Sequence, residues 1–273
     1  MSDRLKILVV FALLAAAFYP VYPDLANAWM HQQDNSYGIL VPFISLYFLW
    51  DRRAELVSTP PQSTNWGLLF TILSLLLYLL ALVGGVAFVS RLMLVAALAG
   101  LVLYVFGWRR FKILAFPLFF LFFMVPIPVS IVSLISLPLQ NFATRVSAGL
   151  IQACSIPVYR EGNMLYFVQT QLEVAEACSG IRSLMALIML SVVFVYLSKQ
   201  GILKKTILLC SAIPIALTGN LLRVSGTGIL AHFFGDKVAR GFMHEFSGMA
   251  VFVFGMLILF LEFNVLNKVF KTP

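Results

Sequence analysis

Apolar residues run through this chain in long blocks, each closed by a few polar or charged positions. A helix that spans a bilayer needs about 20 predominantly apolar residues, within a range of roughly 17–25. Eight blocks approach that length, at about 6–22, 37–50, 67–88, 92–107, 113–129, 178–198, 206–230 and 246–265. The second is short in apolar count and draws on its flanks. The third and fourth are parted only by Ser90 and Arg91, which predicts a tight turn. Pro126 and Pro128 end the fifth, because proline lacks the backbone donor and clashes with the preceding turn. The run from Ile7 to Val21 has the length of a signal-peptide core. No convincing small-residue cleavage site follows it, so it reads as a retained first helix.

Residues 130–177 break the pattern. Val129 to Ala153 is apolar but interrupted by Pro138, Gln140, Asn141, Thr144 and Arg145, as in a re-entrant or interfacial helix. Pro157 to Ala175 reads as extended. Val158-Tyr159-Arg160 and Met164 to Val168 flank Glu161-Gly162-Asn163, a hairpin signal. No repeat, low-complexity tail or soluble appendix stands out, so one multispan domain over 1–273 is expected. The predicted fold class is an all-α integral membrane protein, with about eight transmembrane helices and a short extracytoplasmic β-hairpin before the sixth of them.

Composition agrees. The chain is 61% hydrophobic and 11% charged, against about 25% charged residues in soluble domains. In a soluble protein a net charge of +8 would suggest nucleic acid. Here the basic residues fall between apolar blocks, so they report orientation, and no nucleic-acid partner is expected. With eight spans and a cytoplasmic N-terminus, twelve Lys and Arg face the cytoplasm and five the other side; Arg182 and Arg223 lie within spans. That bias predicts a multi-pass membrane protein with both termini cytoplasmic. The three cysteines, Cys154, Cys178 and Cys210, form no disulfide or zinc pattern. Cys154 and Cys210 read as packing residues. The phenylalanines from Phe116 to Phe123 read as lipid-facing bulk, and Gly84-Gly85 as relief of crowding near a turn or helix contact.

Candidate chemistry gathers around Glu176-Ala177-Cys178-Ser179-Gly180-Ile181-Arg182, a polar knot at the mouth of the sixth block. Ionisable groups at membrane depth are costly unless they line a site. The alternation of spans brings Cys178, Arg223 and His244 to the same, periplasmic, face. A cysteine attacks as its thiolate, which a helix N-terminus and a neighbouring cation favour. A histidine has the right intrinsic pKa to move a proton at neutral pH. An arginine stays protonated, so it can hold a carbonyl oxygen, an oxyanion or a substrate carboxylate. The amides of Ser179 and Gly180, placed in a first helical turn, would add oxyanion donors. Cys178 and Arg182 are four apart, Asn220 and Arg223 three apart, and each pair would share a helix face. Gly248, four after His244, leaves a gap beside the histidine. Each residue also has a plainer reading. A lone buried cysteine is usually inert, Arg182 can snorkel to the interface, and Arg223 can pair with Glu176 or Glu245. Phosphate-loop, HExxH and GxSxG patterns are absent, and neither cofactor nor metal is expected.

The cysteine run Val174-Ala175-Glu176-Ala177-Cys178-Ser179-Gly180-Ile181-Arg182-Ser183-Leu184 resembles the cysteine motif of the exosortase/archaeosortase family. Ala212 to Ala216 leading to Gly219-Asn220-Leu221-Leu222-Arg223-Val224 is similar to its arginine motif, and His244-Glu245-Phe246-Ser247-Gly248 to its histidine motif. Asp34 to Trp50 and Phe116 to Pro128 resemble two earlier signatures. The resemblance implies a membrane thiol protease and transpeptidase. Its substrates would be exported, membrane-anchored proteins ending in a PEP-CTERM-type sorting signal: a Pro-Glu-Pro-type motif, a transmembrane helix and a basic tail. By the same resemblance Cys178 is the nucleophile, Arg223 the motif arginine and His244 the acid/base; Arg182, Asn220, Ser179 and Gly180 are the candidate substrate-binding residues that the spacing above places beside them. The cleaved protein would pass through a thioester to an amine acceptor. Some relatives carry a second arginine where this chain has His244, and the histidine favours a bacterial member. Some bacterial members also carry a C-terminal soluble domain that is not seen here. The alternative reading is a transporter or polysaccharide-handling membrane protein without cysteine chemistry.

Overall fold

The computed structural model of the protein describes residues 3–168, 170–174, 180–198, 201–235 and 242–269, with the side chains of 3, 4, 33 and 242–246 outside that description. The chain divides into two compact units, Met1–Pro128 and Val129–Pro273.

The first unit begins with α1 (Asp3–Ala17) and α2 (Val21–His31), which meet at a 64° bend. Pro20 stands at the bend and caps α2; it has no N–H to continue α1. A 3-10 helix (Gln33–Leu40), α3 (Val41–Asp51) and the short α4 (Arg53–Ser58) follow, then α5 (Asn65–Val83) and α6 (Ala87–Phe120). The turn between α5 and α6 falls at Gly84-Gly85, where Gly85 has φ +67°. Ser90 and Arg91, expected to form that turn, lie inside α6 instead. Arg91 is ion-paired there with Asp24 of α2, its Nη2 2.8 Å from the carboxylate.

α6 is broken at Gly107, with φ 73° and ψ 178°. The residues before α5 lie against this break: the Gln62 and Thr64 N–H groups donate to the Phe106 and Tyr104 carbonyls, each at 3.3 Å. A β-carbon at position 107 would overlap the Gln62 carbonyl, so both the backbone angle and the space require glycine.

The two early signatures meet in this unit. Gly38 packs under the Trp29 indole, whose Nε1–H donates to the Met124 carbonyl at 2.9 Å. Ser45 Oγ donates to the Pro117 carbonyl at 2.9 Å. Phe48 sits edge-on to Phe116 and Phe120, with centroids 5.2 Å away in both cases. The phenylalanine stripe is therefore only partly lipid-facing. Phe119 and Phe122 are exposed, but Phe120 is fully buried.

The second unit starts with α7 (Val129–Ala153), which is inside-out. Ser136, Gln140, Thr144 and Ser147 are buried, while Leu134, Leu137, Phe142 and Leu150 are exposed. A helix surrounded by hydrocarbon turns its polar stripe toward protein, the reverse of the arrangement in water. The expected hairpin follows: β1 (Val158–Glu161) pairs antiparallel with β2 (Met164–Phe167), turning at Gly162. A third strand, β3 (Gln171–Glu173), extends it into a sheet of order β1-β2-β3. The inner face of the sheet, with Leu165, Phe167, Leu172 and Val174, packs with Ile151 of α7 and with Val224. The remaining helices are α8 (Ile181–Leu197), α9 (Ile202–Phe234) and α10 (Phe242–Val269). Their shared core holds Leu187, Ala212, Ala216 and Leu259.

Among the described residues, four helical stretches are long and apolar enough to cross a membrane: Asn65–Val83, Ala87–Met124, Ile202–Phe234 and Ser247–Val269. Counting the bent α1–α2 pair as one span makes up to five. Among the described residues the expected eight is not reached by length and apolarity alone. Block 37–50 divides between a 3-10 helix and an 11-residue helix, blocks 92–107 and 113–129 lie on the two sides of the Gly107 break, and α8 has 17 residues. Hydropathy measures apolar length and does not register where the backbone bends. Lys204, counted with a cytoplasmic loop, lies in the first turn of α9 and is 4% exposed.

Candidate active site

Two contacts assemble the three motifs of the second unit. The first joins the start of α8 to α9. Gly180 caps α8 in the left-handed region (φ 77°, ψ 0°), and its carbonyl accepts from the Leu184 N–H at 2.8 Å. A β-carbon on Gly180 would lie 2.9 Å from Cγ and 3.0 Å from Cβ of Asn220. Asn220 is buried at 3% exposure, so the cap is pressed against a fixed amide. The second contact joins α9 to α10. A β-carbon on Gly248 would lie 3.4 Å from Cζ and Nη2 of Arg223 and 3.6 Å from Nη1. The gap expected beside the histidine is occupied by the Arg223 guanidinium.

Helix periodicity ties these contacts together. Asn220 and Arg223, three residues apart, share a face of α9. One side of that face meets the mouth of α8 and the other meets α10. His244 lies in the first turn of α10, one turn before Gly248, or about 6 Å along the axis. Its backbone belongs to the helix; its side chain falls outside the described residues.

The β-sheet fixes the approach to the cysteine motif. The Val174 N–H donates to the Asn163 carbonyl at 2.9 Å, and Asn163 Nδ2 donates back to the Val174 carbonyl at 3.4 Å. Val174 is 1% exposed. Residues 175–179, which include Cys178 and Ser179, lie outside the described residues. They connect two anchored points in the chain, Val174 on the sheet and Gly180 on Asn220.

Two expectations about local geometry change. The left-handed backbone at Gly180 starts α8 at Ile181, so Gly180 is the cap and not part of the first turn. The first turn at that end is residues 181–183. The same break means that the four-residue spacing from Cys178 to Arg182 does not define one helix face. Arg182 is the second residue of α8 and half-buried.

His232 was not singled out in the sequence. It is half-buried near the end of α9, with its ring 6.3 Å from Phe167 and 5.0 Å from Phe233. It is nine residues from Arg223, about 13.5 Å of helix rise, and so stands apart from the Asn220–Arg223 face. Cys154 and Cys210 are free and exposed, which corrects their reading as packed residues.

The family of transmembrane exosortases matches this chain over residues 29–261. No curated protein and no solved structure matches it.

Proposed function

The chain belongs to the transmembrane exosortase family, and from that membership we propose a membrane cysteine peptidase and transpeptidase. It cleaves the C-terminal sorting signals of exported, membrane-anchored proteins at the periplasmic face of the inner membrane, with both termini cytoplasmic. The observation that carries this reading is the placement of Arg223. Its guanidinium lies against α10 one turn from His244, while its face-mate Asn220 holds Gly180, two residues from Cys178 in the chain.

In this mechanism the substrate helix packs beside the bundle with its basic tail held on the cytoplasmic side. The motif ahead of that helix then reaches the outer boundary near residue 180. His244 takes the thiol proton, and the Cys178 thiolate attacks the scissile carbonyl carbon. The oxyanion that forms is held by Arg223 and by amides at the mouth of α8. As the C–N bond breaks, His244 returns its proton to the leaving amine, and a thioester to Cys178 remains. An amine acceptor attacks the thioester and regenerates the thiol, forming a new amide; water in its place gives hydrolysis. A motif glutamate would pair with a cation at this face, such as Arg182.

The decisive experiment co-expresses the full chain with a protein carrying a tripartite tail. Intact-mass analysis of the wild-type chain, quenched in acid without added acceptor, is expected to show a thioester-linked adduct on Cys178, and His244→Ala is expected not to form it. Cys178→Ala is expected to stop cleavage while leaving the protein in the membrane. Cleavage at the wild-type rate in Cys178→Ala would end this reading in favour of a transporter or assembly role.

A further inference from the structure

The first unit contains a cavity of about 480 Å³ that the chemistry of the second unit does not use. Small-molecule pockets occupy roughly 300–1,000 Å³, so the space suffices for a ligand. Its walls come from α1, α3, α4 and both halves of α6, among them Phe11, Leu49, Leu56, Leu98 and Val102. Leu46 of α3 also lines it and is 60% exposed, which places an opening on the outside of the unit. Apolar walls hold water poorly, and in a bilayer the adjacent solvent is hydrocarbon.

One charged residue, Arg110, lines this cavity. Its Nε–H donates to the Thr59 carbonyl at 2.8 Å, and its Cζ stands 5.6 Å from the Phe106 ring centroid. Those contacts hold the guanidinium in place through one nitrogen. Among the described residues no carboxylate pairs with it. Exposed Arg109 and Lys112 flank it in sequence. An apolar chamber with one held cation in its lining matches an amphiphile with a hydrocarbon chain and an anionic head. Basic pockets between membrane helices bind anionic lipid headgroups in this way.

We propose that this cavity is a binding site for an anionic phospholipid, with one acyl chain inside and the phosphate on Arg110. It is independent of the cysteine chemistry, and its test does not use processing as a readout.

The full chain is purified, equilibrated with mixed vesicles of phosphatidylglycerol and phosphatidylcholine, and the retained lipid measured by native mass spectrometry. Wild type is expected to retain phosphatidylglycerol in preference. Arg110→Gln is expected to reduce that preference about fivefold, the factor associated with one basic residue near an anionic headgroup. Arg110→Lys is expected to restore most of it. Leu46→Trp narrows the opening from an exposed position without repacking the core, and is expected to lower retention of lipid in general. Equal retention of the two lipids by wild type overturns the proposal. So does an unchanged preference in Arg110→Gln, or a polypeptide recovered from the cavity in place of lipid.

Discussion

The two units bury apolar side chains alike and differ in how many polar ones they bury with them. The first packs rings and aliphatic side chains: Phe18, Phe48 and Phe120 are fully buried, and its cavity is walled almost entirely by apolar groups. The second buries polar side chains: Ser136, Gln140, Thr144 and Ser147 on α7, and Asn220, Ser225 and Thr227 on α9. Ser147 Oγ donates to the Leu221 carbonyl at 3.4 Å, which ties these two helices near the arginine motif. In hydrocarbon a polar group gains by turning toward protein, so a stripe of them marks an inner surface. The contrast is what the proposed chemistry in the second unit and the proposed lipid site in the first would predict.

The largest effect expected from testing this contrast comes from Arg223. Arg223→Ala should lower processing by about 100- to 1,000-fold, the usual loss for one oxyanion donor. Membrane insertion and melting temperature should stay close to wild type. A variant that processes normally would remove Arg223 from the chemistry and leave it a structural role.

Next is Gly180→Ala. A β-carbon there meets Asn220 at 2.9 Å and forces a residue with a side chain into the left-handed region, a backbone cost of about 1–2 kcal/mol. Processing should fall at least tenfold, measured as the fraction of tagged substrate cleaved. An alanine variant with full activity would mean that the cap does not position the cysteine motif.

Gly248 offers a graded test. Gly248→Ala places its methyl 3.4 Å from the Arg223 guanidinium, an ordinary contact, and should change processing by less than about threefold. Gly248→Leu should displace the guanidinium and approach the Arg223→Ala loss. If alanine and leucine behave alike, space at position 248 does not control Arg223.

In the first unit, Gly107→Ala should lower thermal stability by about 1–3 kcal/mol, since it strains the left-handed backbone and strikes the Gln62 carbonyl. The rate per folded molecule should remain that of wild type. The smallest effect is expected from Gln140→Leu. The Gln140 Nε2 is buried with no hydrogen-bond partner among the described residues. Replacing an unsatisfied amide with an apolar group of similar size is near neutral or stabilising by about 1 kcal/mol. Loss of processing in that variant would extend the site along α7.

Much of this was legible in the chain. The hairpin at Glu161-Gly162-Asn163 was visible because a turn glycine between alternating β-prone residues is a local signal. The three-residue spacing of Asn220 and Arg223 was visible because helical period alone puts them on one face. The breaks were harder to see. Gly107 reads as one glycine in an apolar block, and nothing local reveals that Gln62, 45 positions earlier, presses its carbonyl there. Likewise Lys204 reads as a loop cation until its burial is seen.

Membrane residence, the basic clusters at block ends, the order of the cysteine, arginine and histidine motifs and the family follow from the linear order of residues, because each depends on composition or short-range spacing. Tertiary structure alone decided that Arg223 fills the gap at Gly248, that Gly180 closes on Asn220, and that the first unit keeps an apolar chamber with Arg110 in its lining. Those outcomes depend on how closely helices distant in sequence approach one another, and that distance is set by the absence or size of side chains on both partners together.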